Sequence, residues 1–205
     1  MQKVSVCILD YGSGNVGSVY NIITYLGYDV KVSNAENDIE LSTHLILPGV
    51  GSFGSAMERI NKNIPVDFLR DQVINFKKPF LGICVGMQVL VEVGLEHGEF
   101  KGLGWVQGTV EKLKTEELPL PHIGWNNVKI KEESSLFEDL TNINDFYFVH
   151  SYHVMTEKEN ILSETEYGKI FCSSLMKENI FGVQFHPEKS QKAGQKLLQN
   201  FLKIN

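Results

Sequence analysis

Residues 79–91 read PFLGICVGMQVLV, and this stretch decides the fold. Residues 79–83 form a short apolar run, which is typical of a buried strand. The apolar residues at 87–91 predict a helix that continues from the turn. Between them, Gly82 and Gly86 flank Cys84. The central side chain of such a strand–turn–helix elbow sits on a tight turn at the carboxyl end of its strand, where bulky neighbours do not fit. The stretch therefore predicts an α/β fold with a thiol presented at one edge of the sheet.

Strand and helix patterns alternate on the amino-terminal side of this elbow. Helical spacing of apolar residues marks three stretches, and Gly27 closes the first of them. We predict helices at 16–26, 55–61 and 65–76, and strands at 3–9, 29–32, 45–47 and 79–83. Strands that alternate with helices are typical of a parallel sheet covered on both faces.

After about Gly98 the pattern changes to short runs separated by polar turns. These runs, which predict an antiparallel or mixed extension of the sheet, are residues 105–112, 127–130, 146–149 and 170–175. A final helix is predicted at 191–202. The chain has 205 residues, no repeats and no linker. Because chains divide into domains beyond ~250 residues, we expect residues 1–205 to form one domain.

Composition excludes several classes of protein. Apolar residues make up 42% of the chain, which is enough for a full core. Lys and Arg number 19 against 25 for Asp and Glu, so the net charge is −6, which disfavours a duplex nucleic-acid binder. No apolar run reaches the roughly 18 residues of a membrane span, and the first residues do not form a secretory signal. We expect a cytoplasmic protein without a membrane segment.

The elbow cysteine differs from the other two cysteines. A thiol just before a helix gains from the helix dipole, which favours thiolate, and from backbone N–H groups that can hold an oxyanion. The alternative is a buried cysteine beside a glycine-rich turn. Cys7 and Cys172 lie inside apolar runs, and we interpret both as small core residues. The spacing of the three cysteines disfavours a disulfide framework and a zinc clip.

His186-Pro187-Glu188 follows the apolar strand predicted at 180–185. A histidine at a strand end can reach a nucleophile on a neighbouring elbow, and a carboxylate two residues later can orient the imidazole. The zinc deaminases also use H-x-E, but they need a later P-C-x-x-C cluster, and no cysteine follows Cys172. His150 and His153 would point to opposite faces of a strand. We assign no metal site.

Two glycine-rich turns follow predicted strands. The turn LPGVG at 47–51 can aim a backbone N–H at a substrate carbonyl, as an oxyanion donor does. The stretch GSGNVG at 12–17 matches the dinucleotide fingerprint, but Ser33-Asn34 stand where that motif needs a carboxylate. We interpret Tyr11 to Asn15 as a tight loop that faces a partner, and we expect no cofactor.

These stretches resemble a known family, the class I glutamine amidotransferases with their Cys-His-Glu triad. The resemblance rests on LPGVGSFGSAM (47–57), GICVGMQ (82–88) and GVQFHPEKS (182–190). Three further stretches narrow it to the glutaminase subunits of imidazole glycerol phosphate synthases: DYGSGNVGSV (10–19), PHIGWN (121–126) and FYFVHSYH (146–153). The resemblance implies a flavodoxin-like, three-layer α/β fold with a mainly parallel central sheet and an antiparallel extension.

The resemblance also implies roles for individual residues. Cys84 would attack the side-chain amide of L-glutamine, His186 would transfer the proton, and Glu188 would orient the imidazole. A thioester would form, release ammonia and be hydrolysed to glutamate. The family suggests that the PGVG turn stays unproductive until the partner's ligand binds. The implied oxyanion donors are Val85 and the Val50–Gly51 peptide, and the implied contacts to the α-amino and α-carboxylate groups are Gln88, His150, Ser151 and Tyr152.

The family's partner is a (β/α)8-barrel cyclase that receives the ammonia through a dry conduit. The resemblance thus implies a heterodimer that makes imidazole glycerol phosphate and AICAR in histidine biosynthesis. The candidate interface residues are Asn15, Trp125, Tyr147 and Lys189, with ordinary packing as the alternative for each. Three other functions stay open: the same glutaminase serving a paralogous synthase that amidinates a bacterial surface sugar, a free-standing cysteine hydrolase, and a non-catalytic subunit.

Overall fold

The apolar runs of the sequence form two sheets in the computed structural model, which describes residues 3–115, 117–140 and 143–204. The strands of these residues are, in chain order, β1 (Ser5–Ile8), β2 (Asp29–Val32), β3 (His44–Gly49), β4 (Phe80–Cys84), β5 (Val93–Gly94), β6 (Phe100–Lys101), β7 (Gly108–Lys112), β8 (His122–Ile130), β9 (Ile143–His150), β10 (Tyr152–Thr156), β11 (Ile161–Tyr167), β12 (Lys169–Lys177) and β13 (Ile180–Val183).

The larger sheet is parallel through its centre. Its strand order is β2-β1-β3-β4-β13-β12-β11-β8-β9. The first five strands pair in parallel, and the last four add antiparallel pairings. The parallel part has the strand order of flavodoxin-like folds, with β13 as the fifth strand. The predicted parallel sheet with an antiparallel extension is therefore confirmed.

Helices separate the successive parallel strands of the first half of the chain, and the last helix follows β13. In the described ranges they are α1 (Val16–Tyr25), α2 (Glu36–Leu41), α3 (Phe53–Asn63), α4 (Val66–Arg70), α5 (Val85–Gln88) and α6 (Gln191–Phe201). The helices predicted at 16–26, 55–61 and 191–202 are confirmed. The helix predicted at 65–76 divides into α4 and a π-helical turn, Asp71–Asn75. The short helix α2 was missed.

The helix after Cys84 is shorter than predicted. We expected it to continue to Val91, but α5 ends at Gln88. The backbone N–H groups of Trp105 and Val106 donate to Leu90 O at 2.9 and 3.0 Å, and Leu103 N donates to Val89 O at 2.8 Å. The segment after the elbow therefore pairs with a later loop instead of extending the helix.

The smaller sheet was not predicted. It has four strands in the order β10-β7-β5-β6. The run at 105–112, which we assigned to the extension of the main sheet, belongs here, because β7 pairs with β10 and β5. The first residues of this run, 105–107, do not form a strand. The Trp105 ring packs edge-on against Phe80 with 5.1 Å between the ring centroids.

Parallel pairing brings several chain segments to one edge of the main sheet. In the register of the parallel strands, Gly49 lies beside Cys84, and Val183 lies beside Ile83. The carboxyl ends of β3, β4 and β13 therefore meet, as those of parallel strands must. Buried side chains from Val6 to Leu202 form one hydrophobic cluster beneath this edge. That residues 1–205 form one domain stays a prediction. Every helix of the described residues is too short or too polar to cross a bilayer.

Candidate active site

Cys84 occupies a strained turn between β4 and α5. Its backbone has φ 55° and ψ −112°, in the positive-φ region that side chains other than glycine rarely adopt. A Cβ on Gly86 would overlap the carbonyl oxygen of Leu47, and one on Gly82 would overlap that of Gly86. The two glycines thus allow the close approach that the elbow needs, as the sequence predicted.

The sulfur of Cys84 is surrounded by protein. The residue is only 3% exposed. The side-chain Nε2 of Gln184 lies 3.7 Å from Sγ, and Val149 O lies 4.0 Å away. Because α5 is a single turn, its dipole is weaker than that of the longer helix we predicted. The Gln184 amide is a side-chain donor directed at this sulfur.

His186 and Glu188 form a buried pair just after β13. Nδ1 of His186 lies 2.8 Å from Oε1 of Glu188, and the two side chains are 1% and 0% exposed. The backbone N–H of His186 donates to Tyr147 O at 2.8 Å, and Ser190 Oγ donates to His186 O at 2.6 Å. Within the described residues, Nε2 of His186 is buried without a hydrogen bond of normal geometry. The imidazole is therefore fixed by one nitrogen while the other is left for chemistry.

The electrostatics of this pair depend on Cys84. Burial alone disfavours a charged imidazole, but the Cys84 sulfur and the Glu188 carboxylate outweigh it and raise the pKa of His186 from 6.5 to about 10. His186 can consequently take up the thiol proton and hold it at neutral pH. Away from the site, burial raises the pKa of Cys7 to about 11 and that of Cys172 to about 12. Both are buried, as predicted for core residues.

A cavity of about 320 Å³ opens at Cys84. Its volume is within the range of small-molecule sites. The predicted residues that line it are Val50, Gly51, Cys84, Val85, Gln88, His150, Ser151, Tyr152 and His186. The structure therefore brings together predicted site residues from four separate stretches of sequence. Glu188 lies behind His186 and not on the cavity wall.

The polar wall of the cavity is rigidly hydrogen-bonded. Gln88 Nε2 donates to Tyr152 O and to Gln184 Oε1, each at 3.0 Å. Nδ1 of His150 lies 2.9 Å from Tyr152 O, and its Nε2 lies 3.0 Å from Nδ1 of His122. Burial lowers the pKa of His150 to about 3 and that of His122 to about 4. Both imidazoles are therefore neutral at physiological pH.

Sequence reasoning missed two polar residues of the site. Gln184 is fully buried, and Glu96 lines the cavity with its Oε2 accepting from Phe53 N at 2.7 Å. A glutamine inside the apolar run at 180–185 is costly to bury without partners, and this signal would have identified Gln184. Glu96 lies in a polar loop and carries no such signal.

The predicted interface residues divide into two groups. Trp125, which is 49% exposed, lies edge-on to Tyr147 with 6.1 Å between ring centroids. Lys189 Nζ lies 5.6 Å from the centroid of the Tyr147 ring. These three side chains form one surface cluster. Asn15 instead points inward, and its Nδ2 donates to Glu188 Oε1 at 2.9 Å.

The loop at 12–17 serves the protein's own site. Besides the contact from Asn15, Ser13 Oγ donates to Val50 O at 2.9 Å. Two of its side chains are thus directed at the candidate site. The dinucleotide alternative gains no support from these contacts.

Comparison with known proteins places the chain in a family. The model of the family described as glutamine amidotransferase class-I matches residues 7–204. The imidazole glycerol phosphate synthase subunit HisH 2 of Methanococcus maripaludis is 46% identical over 200 residues, which cover 97% of this chain and 98% of that protein. The HisH subunit of Pelagibacter ubique is 43% identical over 208 residues, covering 98% and 100%.

The fold agrees with this placement. A solved structure described as a glutamine amidotransferase superposes with a TM-score of 0.75 at 18% identity, covering 97% of each chain. At this identity the likeness shows the fold alone. The family itself is shown by the extent of the family match and by the identity to the HisH subunits. The chain belongs to the class I glutamine amidotransferase family.

Proposed function

We propose that this chain hydrolyses the side-chain amide of glutamine with Cys84 as the nucleophile. One observation carries the proposal: a cysteine on a strained elbow opens into the same cavity as a histidine whose other nitrogen is held by a buried carboxylate. A structural cysteine does not need a positive φ, which costs free energy. A nucleophile gains from it, because the turn presents the sulfur to the cavity.

The chemistry follows from the positions of these groups. His186 takes the thiol proton, and the sulfur attacks the amide carbon of glutamine. The negative charge on the carbonyl oxygen is stabilised by the N–H of Val85 and by the Val50–Gly51 turn. His186 then donates its proton to the nitrogen, the C–N bond breaks, and ammonia leaves a thioester on Cys84. Water adds to the thioester with His186 as the base, the C–S bond breaks, and glutamate is released.

The polar wall of the cavity suits the amino-acid end of the substrate. We assign the α-amino and α-carboxylate groups to the wall formed by Gln88, His150, Ser151 and Tyr152. Glu96 adds a carboxylate to the same cavity, and a carboxylate is the natural partner of an α-ammonium group.

The ammonia is passed on to a partner. The relatives are named as HisH subunits of imidazole glycerol phosphate synthase, and we infer a heterodimer with a (β/α)8-barrel cyclase subunit that makes imidazole glycerol phosphate and AICAR in histidine biosynthesis, in the cytoplasm. A dry conduit is needed because most ammonia in neutral water becomes ammonium. The surface cluster of Trp125, Tyr147 and Lys189 supports this interface, since an exposed tryptophan is a typical anchor.

Copurification with the candidate cyclase tests this function. We expect a stable complex, weak glutaminase activity of the free chain, and an increase when the cyclase and its ligand are added. Equal activity with and without the cyclase would instead identify a free-standing hydrolase. Capture of a paralogous barrel protein, with activation only by that protein, would assign the chain to the synthase that amidinates a surface sugar.

A further inference from the structure

The oxygen of Glu188 that holds His186 has a second donor. Oε1 lies 2.8 Å from Nδ1 of His186 and 2.9 Å from Nδ2 of Asn15, a residue 173 positions earlier in the chain. The Glu188 side chain is fully buried, and its Oε2 has no hydrogen-bond partner within the described residues. The two donors on Oε1 are therefore the groups that compensate this buried carboxylate.

The side chain of Asn15 has no role in capping the helix that follows it. Asn15 stands at the N-cap position of α1, where asparagine usually accepts from a backbone N–H. Here the side chain makes no capping bond, and the backbone carbonyl of Asn15 accepts from Val19 N at 3.1 Å. That backbone bond is the first bond of the helix and leaves the side-chain amide out of capping; the amide is directed to Glu188 instead.

Ser18 fixes the orientation of that amide. Its Oγ donates to Asn15 Oδ1 at 2.8 Å. A carboxylate only accepts hydrogen bonds, so Nδ2 must face Glu188, and Oδ1 is then satisfied by the hydroxyl. Ser18, Asn15 and His186 are consequently joined in one hydrogen-bond network that converges on Glu188, and His186 lies at its cavity end.

We propose that Asn15 is a positioning residue for the proposed glutaminase reaction, holding Glu188 so that His186 keeps the orientation that serves Cys84. Asn15 touches neither the substrate nor the reacting atoms, and it acts through Glu188. This inference rests on the proposed function, and it gives the loop at 12–17 a role inside the chain's own site.

Asn15→Asp separates positioning from structure. Aspartate matches asparagine in size and in N-cap preference, but it donates no hydrogen bond and places a like charge beside Glu188. In the complex with the cyclase, we expect Asn15→Asp to lower the glutaminase kcat about 10- to 100-fold, as loss of a charge-assisted hydrogen bond does, with KM little changed. The downfield proton resonance of His186 Nδ1–H should shift or broaden.

A matched control exists elsewhere in the chain. Asn75 Nδ2 donates to Asp71 Oδ1 at 2.6 Å on the exposed π-helical turn. Asn75→Asp makes the same chemical change to the same kind of pair, and should leave kcat and the Nδ1–H resonance unchanged. Ser18→Ala, which only frees the amide, should give a smaller loss of kcat than Asn15→Asp.

The outcomes separate this inference from the proposed function. If wild-type complex shows no glutaminase activity, the proposed function fails. If the wild type is active and Asn15→Asp keeps its kcat and its Nδ1–H resonance, Asn15 has no positioning role. Should Asn15→Asp not fold, Ser18→Ala decides: a reduced kcat supports the inference, and wild-type values of kcat and resonance overturn it.

Discussion

The side-chain amide nitrogen of Gln184 lies 3.7 Å from the sulfur of Cys84. Gln184 is fully buried, and its Oε1 accepts from Gln88 Nε2 at 3.0 Å, which fixes the direction of the amide. An N–H donor aimed at sulfur stabilises the thiolate more than the thiol. Gln184 therefore joins the elbow cysteine to the polar wall of the cavity.

Gln184→Met should slow the chemistry at Cys84. Methionine has nearly the same shape but lacks the donor, so we expect a loss of about tenfold in kcat/KM, in line with one hydrogen bond to a charged group. The rate of alkylation of Cys84 by iodoacetamide should fall in parallel. Gln72, a second buried glutamine, lies on the π-helical turn, and Gln72→Met should leave both rates unchanged. Unaltered alkylation in Gln184→Met would show that the amide does not act on the sulfur.

Gly51→Ala should impair the oxyanion turn. Gly51 has φ +98°, where a side chain costs about 1–2 kcal/mol or more. Gly27 at the end of α1 has φ +84° and open space around it, so Gly27→Ala carries similar strain away from the site. We expect both variants to lose stability in thermal unfolding, but only Gly51→Ala to lose about tenfold or more in kcat. Equal kcat values would separate the turn from catalysis.

Stability should fall on the alkaline side because of His186. Its pKa is raised from 6.5 to about 10, so the folded chain holds a proton that the unfolded chain releases. The stabilisation of the fold by this proton is complete below pH 6.5 and is lost as the pH rises to about 10. Glu188→Gln removes one cause of the raised pKa. The difference in free energy of unfolding between wild type and Glu188→Gln should shrink across this window, measured by urea titration. A difference that is constant with pH would contradict the raised pKa.

Stability should also fall on the acid side because of His122 and His150. Burial lowers their pKa values from 6.5 to about 4 and about 3. The unfolded chain therefore binds protons that the folded chain refuses, and the contribution present above pH 6.5 is lost as the pH falls toward these values. NMR titration of the imidazole carbons should find both histidines neutral at pH 5.5. Protonation of either one near pH 6.5 would contradict this account.

The sequence predicted the parallel strands and most helices because their apolar patterns are regular. The strand β11 escaped because Leu162 and Ser163 are both buried where register shifts break the alternation. The strands β5 and β6, with two residues each, are too short to show a period. The elbow and the His186–Glu188 pair carry local motifs. The contact between Asn15 and Glu188 has no local motif, since it spans 173 positions and only the fold creates it.

Cys84→Ala in the cyclase complex tests the central claim most directly. Synthesis is measured once with glutamine and once with ammonium salt as the nitrogen source, with Cys7→Ala as the control for loss of a buried thiol. We predict that Cys84→Ala abolishes synthesis from glutamine and keeps synthesis from ammonium near the wild-type rate. Glutamine-dependent synthesis at the wild-type rate, or equal loss of both activities, would contradict the assignment of Cys84 as the nucleophile.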